Sequence, residues 1–225
     1  PMEKLTKYSS WRAHSLWGVY EVDVRSRWLT SMLPSLEDEY NYWYTTHRRE
    51  NGLYWQEDVR DAMEETISGG RRKKYMRPSI NSYMYGNARA VARTAELAGQ
   101  KDKAARYHAQ ADSLRQLTLK WLWNERHQFF ETHRMDSSAN VRESIGYMPW
   151  YTGMVTNVPQ YAKAWLQAGD PEGFSAPYGQ TTAERRHPEF RSHGDGQCEW
   201  DGAVWPFATS QTLTAMANYL NSTDT

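Results

Sequence analysis

The sequence lacks the features that mark several common classes of protein. Its 225 residues include a single cysteine, Cys198, which excludes an internal disulfide framework and a zinc site built from cysteines. It contains no apolar run of about 18 residues, the length that a membrane-spanning helix needs, so we expect no membrane partner. The formal net charge is zero, so the overall charge does not favour a nucleic acid or an anionic membrane surface as partner.

Metal-binding patterns are also missing from the sequence. The histidines of the second half of the chain show no tight metal-ligand spacing: His127, His133, His187 and His193. We therefore expect no catalytic metal and no cofactor. The sequence does not decide whether a structural calcium site is present, because carboxylate and carbonyl ligands leave no clear signature outside defined loops.

Aromatic residues with a polar group are, by contrast, abundant. The chain has 11 Trp and 15 Tyr but only 5 Phe. Such rings suit the wall of a wet cleft, because one part of the ring is apolar and another part can meet water. The same bias occurs in protein-binding surfaces, so it does not by itself indicate a cleft.

Residues 51–81 bring acidic, aromatic and amide side chains together, and the rest of the chain is organised around them. This short span contains Trp55, Gln56, Glu57, Asp58, Asp61, Glu64 and Glu65. Aromatic faces take the apolar face of a sugar ring, carboxylates and amides take its hydroxyls, and a carboxylic acid can protonate a leaving oxygen. In the alternative interpretation the acids are solvated, or pair with Arg60, Arg71 or Arg72 as a structural network. A basic turn, residues 69–74, follows the acids.

Apolar residues at spacings of three, four and seven predict helices along most of the chain. The predicted helices cover residues 11–28, 34–47, 78–98, 101–123, 158–168 and 206–220. A proline opens four of them, at Pro34, Pro78, Pro159 and Pro206. The two helices on either side of residues 98–100 predict an αα-hairpin. This pattern is typical of an all-α fold.

The segments between the helices are of three kinds. Residues 127–133 predict a short hairpin strand, and residues 143–151 a loop or broken helix. Residues 173–201 are long, polar and rich in Gly, Pro and His. A loop of that length inside a compact chain is usually functional or disordered. Its aromatics favour a functional loop: Phe174, Tyr178, Phe190 and Trp200.

Three segments carry a resemblance to a known family. Residues 62–66 (AMEET) are similar to a Gly-aromatic/apolar-Asp-x-Ser segment. Residues 78–85 (PSINSYMY) are similar to a Pro-Val-Asp-Leu-Asn-x-x-Leu-Tyr helix start, and the likeness continues to residues 122–124 and Phe129–Phe130. Residues 198–206 (CEWDGAVWP) are similar to a Trp-x-Gly-Pro-x-Trp-Pro segment. In this order they resemble the catalytic barrel of trehalases, processing α-glucosidases and, most closely, the large mannosylglycerate-hydrolase-like enzymes of bacteria.

The resemblance implies that residues 1–225 are part of a single (α/α)6 catalytic domain, an all-α toroid of six helical hairpins with short β-hairpins in its loops. The sequence predicts fewer helices than six hairpins need, so we expect an incomplete toroid. Family members carry the general base, a Glu, after the helix that begins here near Trp205. We expect that base to lie beyond Thr225, and the chain by itself to be inactive.

The general acid of this family corresponds to Glu64. Most relatives carry Asp at this position, and Gly where this chain has Ala62. Asp61 and Asp58 are rival candidates. An inverting glycosidase needs two carboxyl groups about 6.5–9.5 Å apart, one protonated and one ionised. Neighbouring acids would raise the pKa of Glu64 by like-charge repulsion and keep it protonated near neutral pH.

Substrate-binding roles are expected for side chains from several segments. We expect the sugar to contact Trp55, Gln56, Asn81, Tyr178, Gly179, Arg185, His187, Trp200, Asp201 and Trp205. Trp55 is alternatively a core residue, and Asp201 is alternatively a helix cap. Residues 178–187, expected to form a flap over the substrate, are alternatively a mobile surface loop.

The sequence therefore predicts an inverting glycoside hydrolase that acts on oligosaccharides from a plant or microbial polysaccharide. That substrate class leads us to expect a periplasmic or secreted protein. A non-catalytic carbohydrate-binding or helical interaction module is the alternative from a different class. A polysaccharide lyase or epimerase on the same type of barrel would use Tyr, His or Arg, and the acid-rich stretch argues against it. The sequence makes no prediction of the oligomeric state.

Overall fold

The computed structural model describes residues 7–24, 26–192 and 198–222. Within them the α-helices are α1 (Arg12–Val22), α2 (Ser26–Thr46), α3 (Pro78–Leu97), α4 (Lys101–Leu122), α5 (Met148–Tyr151), α6 (Pro159–Ala162), α7 (Leu166–Gly169) and α8 (Pro206–Asn221). Three 3₁₀ turns cover Asp58–Arg60, Ser144–Tyr147 and Lys163–Trp165. Two antiparallel hairpins pair β1 (Trp123–Asn124) with β2 (Phe129–Phe130), and β3 (Ser175–Ala176) with β4 (Gly179–Gln180). The predicted all-α fold with short β-hairpins is confirmed.

The helices other than α6 and α7 form two layers. α1, α3, α5 and α8 contact one another in that order and make the first layer. α2 packs against α1 and α3, and α4 runs back along α3. The turn between α3 and α4 places Gly99 at a φ of 72°, where a residue without a Cβ is favoured. This is the predicted αα-hairpin.

α3 lies at the centre of the hydrophobic core. Its first half is buried on all sides, and small residues let α4 approach its second half closely. The buried contact residues are Ala88, Val91, Ala92 and Ala95 on α3, and Ala104, Tyr107, Ala111 and Leu114 on α4. On each helix these buried residues are spaced by three, four and seven, the spacing from which the two helices were predicted.

The predictions for the first two helices were partly wrong. α1 ends at Val22, and Trp28 belongs to α2 rather than to a single helix 11–28. α2 begins at Ser26, so Pro34 lies inside it instead of opening it. A proline inside a helix removes one backbone hydrogen bond and crowds the preceding turn. Burial of apolar residues on both sides of the proline, among them Leu33 and Leu36, holds this helix together.

The predicted helix 158–168 is divided into α6, a 3₁₀ turn and α7. The long segment 173–201 contains the β3–β4 hairpin, and its residues 193–197, including His193, lie outside the described residues. Among the helices that the structure describes, none combines the length and the apolar character needed to cross a bilayer.

Candidate active site

The starts of the first-layer helices lie together at one end of the fold. A hydrophobic cluster joins residues from these starts and from the loops before them: Met63, Tyr83, Ile145, Met148, Trp200 and Ala208, with Trp11 and Trp205 packed against it. Proline occupies the first turn of α3, α5 and α8, where its missing N–H costs nothing. As a result, the acidic stretch before α3 and residues 198–205 before α8 meet at the same end.

Aromatic rings line this end of the layer. Trp200 and Trp205 stack with their ring centroids 4.6 Å apart and their planes 8° from parallel. Trp11 lies 4.8 Å from Tyr83 and 5.8 Å from Phe207, measured between ring centroids. The sequence predicted Trp200 and Trp205 for the site but placed Trp11 only in the predicted helix 11–28, whose aromatic and apolar stripe was more easily explained as core. Trp11 and Trp205 each lie immediately before the first residue of a helix, and this shared position could have indicated that Trp11 belongs to the site.

A pocket of about 280 Å³ opens next to the segment that carries Trp200, whose neighbours Glu199 and Asp201 line it. Its lining is mostly charged: Asp58, Glu65, Arg71, Glu189, Arg191, Glu199 and Asp201, with Thr66, Ile67 and Gly70. It brings together two of the predicted site residues, Asp58 and Asp201, from opposite ends of the chain. Asp201 does not cap α8, since the N-cap of that helix is Trp205 and no side chain bonds it. The helix-cap alternative for Asp201 is therefore wrong.

Asp58 is a fully buried carboxyl group in this pocket. Its side chain is 0% exposed, and neither oxygen has a hydrogen-bond partner of standard geometry within the described residues. Burial raises its pKa, while Arg77 and the N–H groups of Val59 and Arg71 oppose the shift. A buried acid without a good partner favours its neutral form.

Glu64 is half-buried at the edge of the same end, directly after Met63 of the hydrophobic cluster. Burial raises the pKa of Glu64, and repulsion from Glu65, Asp58 and Asp61 adds to the increase. This is the predicted like-charge effect, with burial as the larger cause. The next residue, Glu65, has a φ of 48° and pairs with Arg71 at 2.7 Å.

Asp61 has a different environment, because it forms a buried ion pair with Arg77. Nε of Arg77 lies 2.7 Å from Oδ2 of Asp61, and both side chains are inaccessible to solvent. The hydroxyl of Ser79 donates to the same oxygen, and the N–H of Ala62 donates to Oδ1 at 2.9 Å. The structural-network interpretation of the acids therefore applies to Asp61, and also to Glu57 with Arg60 and to Glu65 with Arg71. The cation of Asp61 is Arg77, which the sequence analysis did not consider, although it directly precedes Pro78.

Trp55 and Gln56 make their contacts within the protein. The Trp55 ring stacks on His47 with centroids 4.4 Å apart, and Nζ of Lys74 lies 4.2 Å from its centroid. Gln56 is 1% exposed; its amide donates to the Ser9 hydroxyl at 3.1 Å and accepts from the N–H of Glu57. Trp55 is half-buried rather than a core residue. Substrate contact by either residue stays a prediction.

Asn81 joins the acidic stretch to α3. Its Oδ1 accepts from the N–H of Tyr54 at 2.8 Å, and its amide donates to the carbonyl oxygens of Tyr54 and Arg77 at 2.9 and 2.8 Å. The side chain is wholly buried. These bonds fix the loop on which the candidate acids lie, and they occupy the groups that we expected to bind a sugar.

The predicted flap residues lie around the β3–β4 hairpin. Tyr178 is 95% exposed at its tip, and Gly179 packs against Val204 in a conformation with φ of 150°. Arg185 donates to the carbonyl oxygens of Pro171 and Ser175 at 3.1 and 3.2 Å. His187 is half-buried and accepts from the N–H of Glu189, a pocket residue, at 3.2 Å. None of these four lines the pocket directly.

Two further acids near the site were not found from the sequence. Glu199 lines the pocket, and its Oε2 is buried without a hydrogen-bond partner among the described residues. Glu143 is 2% exposed and accepts from the N–H of Ser68 at 3.1 Å. Burial raises the pKa of Glu143 to about 7, against the attraction of Arg77 and the Ser68 hydrogen bonds. Neither acid belongs to the acidic stretch, so composition alone did not point to them.

The fold is all-α and layered, with acids and aromatic rings gathered at one end, and comparison with known proteins shows the class of protein. The model of the mannosylglycerate hydrolase MGH1-like glycoside hydrolase domain matches residues 1–225, so the chain belongs to that family. A search of curated proteins returned no match.

Solved structures are similar over most of the chain. A protein named sialidase is 57% identical with a TM-score of 0.95, over 99% of this chain and 21% of its own. A GH63 mannosylglycerate hydrolase from Thermus thermophilus, in complex with glucose, is 15% identical with a TM-score of 0.77, over 95% of this chain and 63% of its own. A neutral trehalase from Saccharomyces cerevisiae is 12% identical with a TM-score of 0.60, over 72% of this chain and 31% of its own.

The last two similarities concern the fold alone, and they confirm the predicted toroid of helical hairpins. The chain spans about a fifth of the length of the sialidase and under two thirds of that of the hydrolase, in agreement with the predicted incomplete toroid.

Proposed function

We propose that this domain supplies the general acid and part of the sugar-binding surface of an inverting O-glycosyl hydrolase, with Glu64 as the acid. The observation that carries the proposal is the contrast among the three candidate acids. Asp61 lies in a buried ion pair with Arg77, and Asp58 is fully enclosed. Glu64 combines access to solvent with a raised pKa, which a general acid needs.

In this mechanism Glu64 donates its proton to the leaving oxygen as the glycosidic bond breaks. A second carboxylate, from a part of the full-length protein outside this chain, would activate the attacking water. Trp200, Trp205 and Trp11 would provide apolar faces for the sugar rings, and the pocket next to the segment of Trp200 would take hydroxyl groups. The buried bonds of Arg77 would keep the acid loop rigid during the reaction.

The substrate is expected to be an oligosaccharide of plant or microbial origin. The relative that is 57% identical is named a sialidase, so a sialylated oligosaccharide belongs in the same substrate panel. The full-length protein that carries this domain would be assayed with this panel, and NMR would follow the anomer first released. An inverted product supports the proposed inverting mechanism, in which the second carboxylate activates water, and a retained product contradicts inversion.

The test of the acid compares Glu64→Gln with Asp58→Asn in that full-length protein. We expect Glu64→Gln to lower kcat on natural glycosides by a factor of about 10²–10⁴. On an aryl glycoside whose leaving group needs no protonation, the same variant should keep most of its activity. Asp58→Asn should show no such difference between substrates. Asp58 would instead be the general acid under two conditions. Glu64→Gln would lose equal activity on both substrates, and Asp58→Asn would lose activity on natural glycosides but not on the aryl glycoside.

The same panel addresses the binding-module alternative. If the wild-type protein binds oligosaccharides but cleaves none, the domain is a carbohydrate-binding module, and the hydrolase proposal is wrong.

A further inference from the structure

The basic turn that follows the acids is a surface feature that the proposed mechanism does not use. Arg71, Arg72, Lys73 and Lys74 are all exposed, and they succeed one another after the tight turn at Gly70, whose φ is 63°. In a chain with a formal net charge of zero, this is a local concentration of positive charge. Within the described part of the chain, the ion pair of this run is that of Arg71 with Glu65.

Lys74, the last residue of this basic run, contacts the ring of Trp55. Nζ of Lys74 lies 4.2 Å from the Trp55 ring centroid, and the guanidinium of Arg49 lies 6.0 Å from it. Arg49 also donates to the carbonyl oxygen of Lys74 at 2.7 Å, which ties the two cations together. His47 stacks on Trp55 and in turn lies 4.1 Å from the buried ring of Trp43. We call Arg49, Trp55 and the residues 72–74 the basic patch.

The charge around this patch is positive at neutral pH. Burial, together with the nearby cations Lys74 and Arg60, lowers the pKa of His47 to about 4. His47 is therefore neutral at pH 7 and adds no charge. Glu57 pairs with Arg60 at 3.3 Å. Among the ion pairs of the described residues, none involves Lys74 or Arg49.

The basic patch adjoins the pocket. Gly70 and Arg71 line the pocket, while Lys74, three residues later, contacts Trp55. Three residues of extended chain span about 11 Å at most. An oligosaccharide in the pocket would therefore reach the basic patch with its neighbouring sugar units.

We propose that the basic patch binds a negatively charged sugar unit of the oligosaccharide, one that carries a carboxylate or a sulfate, beside the unit held in the pocket. This proposal rests on the proposed function. Exposed lysine and arginine attract such groups through screened charge interactions, and a half-buried tryptophan offers the sugar an apolar edge. A nucleic acid fits less well, because its phosphates would meet the carboxylates of the adjoining pocket: Asp58, Glu65, Glu189, Glu199 and Asp201.

The test measures binding rather than turnover, so its outcome does not depend on which residue is the acid. The wild-type full-length protein would be titrated by calorimetry with three thio-linked oligosaccharides of equal length, which resist cleavage: one with a uronate, one with a sulfated sugar and one that is neutral. We expect the charged ligands to bind more tightly than the neutral one, with an advantage that shrinks between low and high salt. A preference for the sulfate or for the uronate identifies the source of the charge.

The variants compare two lysines that lie over tryptophan rings. Lys74→Gln should reduce the ratio of charged to neutral affinity by about fivefold, and Arg72→Gln/Lys73→Gln/Lys74→Gln by more. Lys120→Gln is the matched control, because Nζ of Lys120 lies 5.3 Å from the Trp121 ring on the surface of α4, outside the basic patch. An unchanged ratio in the triple variant overturns the proposal. A triple variant that loses binding to single-stranded DNA but not to the charged oligosaccharides also overturns it.

Discussion

Arg77 and Asp61 form an ion pair that is closed to solvent, with 2.7 Å between Nε and Oδ2 and 0% exposure of both side chains. The same guanidinium donates to the Thr66 hydroxyl at 3.0 Å and to the Met63 carbonyl at 3.1 Å. It therefore contacts the acid loop on both sides of Glu64. One buried cation fixes the segment that carries the proposed acid.

Removal of either partner of this pair should be strongly destabilising. Asp61→Asn and Arg77→Met each leave one buried charge without its counter-ion, which costs about 3–5 kcal/mol of unfolding free energy. Urea denaturation of the protein measures the change. Glu96→Gln is the control, because its partner is His108 and its side chain is 54% exposed, so we expect a loss below about 1 kcal/mol. Equal losses for Asp61→Asn and Glu96→Gln would contradict the buried-pair interpretation.

Glu143 should make the stability depend on pH. Its folded pKa is about 7, raised by burial from an ordinary value of 4.5, so the folded state keeps a proton that the unfolded state loses. The stabilisation is complete below the unfolded pKa of 4.5 and is lost as the pH rises through about 7. In Glu143→Gln this loss is absent. We expect the stability of the variant relative to wild type to increase by about 3 kcal/mol across this range.

This comparison is made by denaturation at a series of pH values. His47, whose pKa is lowered, changes the stability in the opposite direction over part of the range, but it is present in both proteins and cancels in the difference. Glu172→Gln, at an exposed position, is the control and should show a flat difference. A flat difference for Glu143→Gln as well would show that Glu143 is ionised in the folded protein.

Gly202 should not accept a side chain. A Cβ at this position would overlap the carbonyl oxygen of Arg191 and lie 2.9 Å from its backbone nitrogen, and backbone atoms cannot rotate away. Gly202→Ala should cost about 1–3 kcal/mol of stability and widen the pocket at Asp201, which raises KM. Gly169→Ala is the control, because a Cβ at the end of α7 meets nothing within 4 Å. A fully active, equally stable Gly202→Ala would show that the two segments move apart freely.

Trp11 should contribute to sugar binding. Its ring contacts those of Tyr83 and Phe207, at the end of the layer where the proposed acid lies. In the full-length protein we expect Trp11→Ala to raise KM about tenfold, and Trp11→Phe to recover part of the loss, since a ring can still stack. Trp121→Ala, whose ring is 39% exposed on α4, should leave KM within about twofold. Equal effects of the two alanine variants would remove Trp11 from the site.

The helices could be predicted because their signals are local. α3, α4 and α8 have regular apolar spacing, and α3 and α8 also have a proline in the first turn. The end of α1 and the position of Pro34 within α2 could not be predicted, because the apolar spacing continues across the break between the two helices. Burial against other helices, rather than local preference, decided those two boundaries.

The sequence by itself determined the family, the helical hairpins and the presence of acids and aromatic rings in the segments before α3 and α8. These follow from residue order and spacing, which folding does not change. The tertiary structure alone decided the state of each acid: Asp61 is paired with Arg77, Asp58 is enclosed, and Glu64 is accessible. A pKa and a hydrogen bond depend on neighbours in space, and the partners of these acids lie on segments that only the packing of the helices brings together.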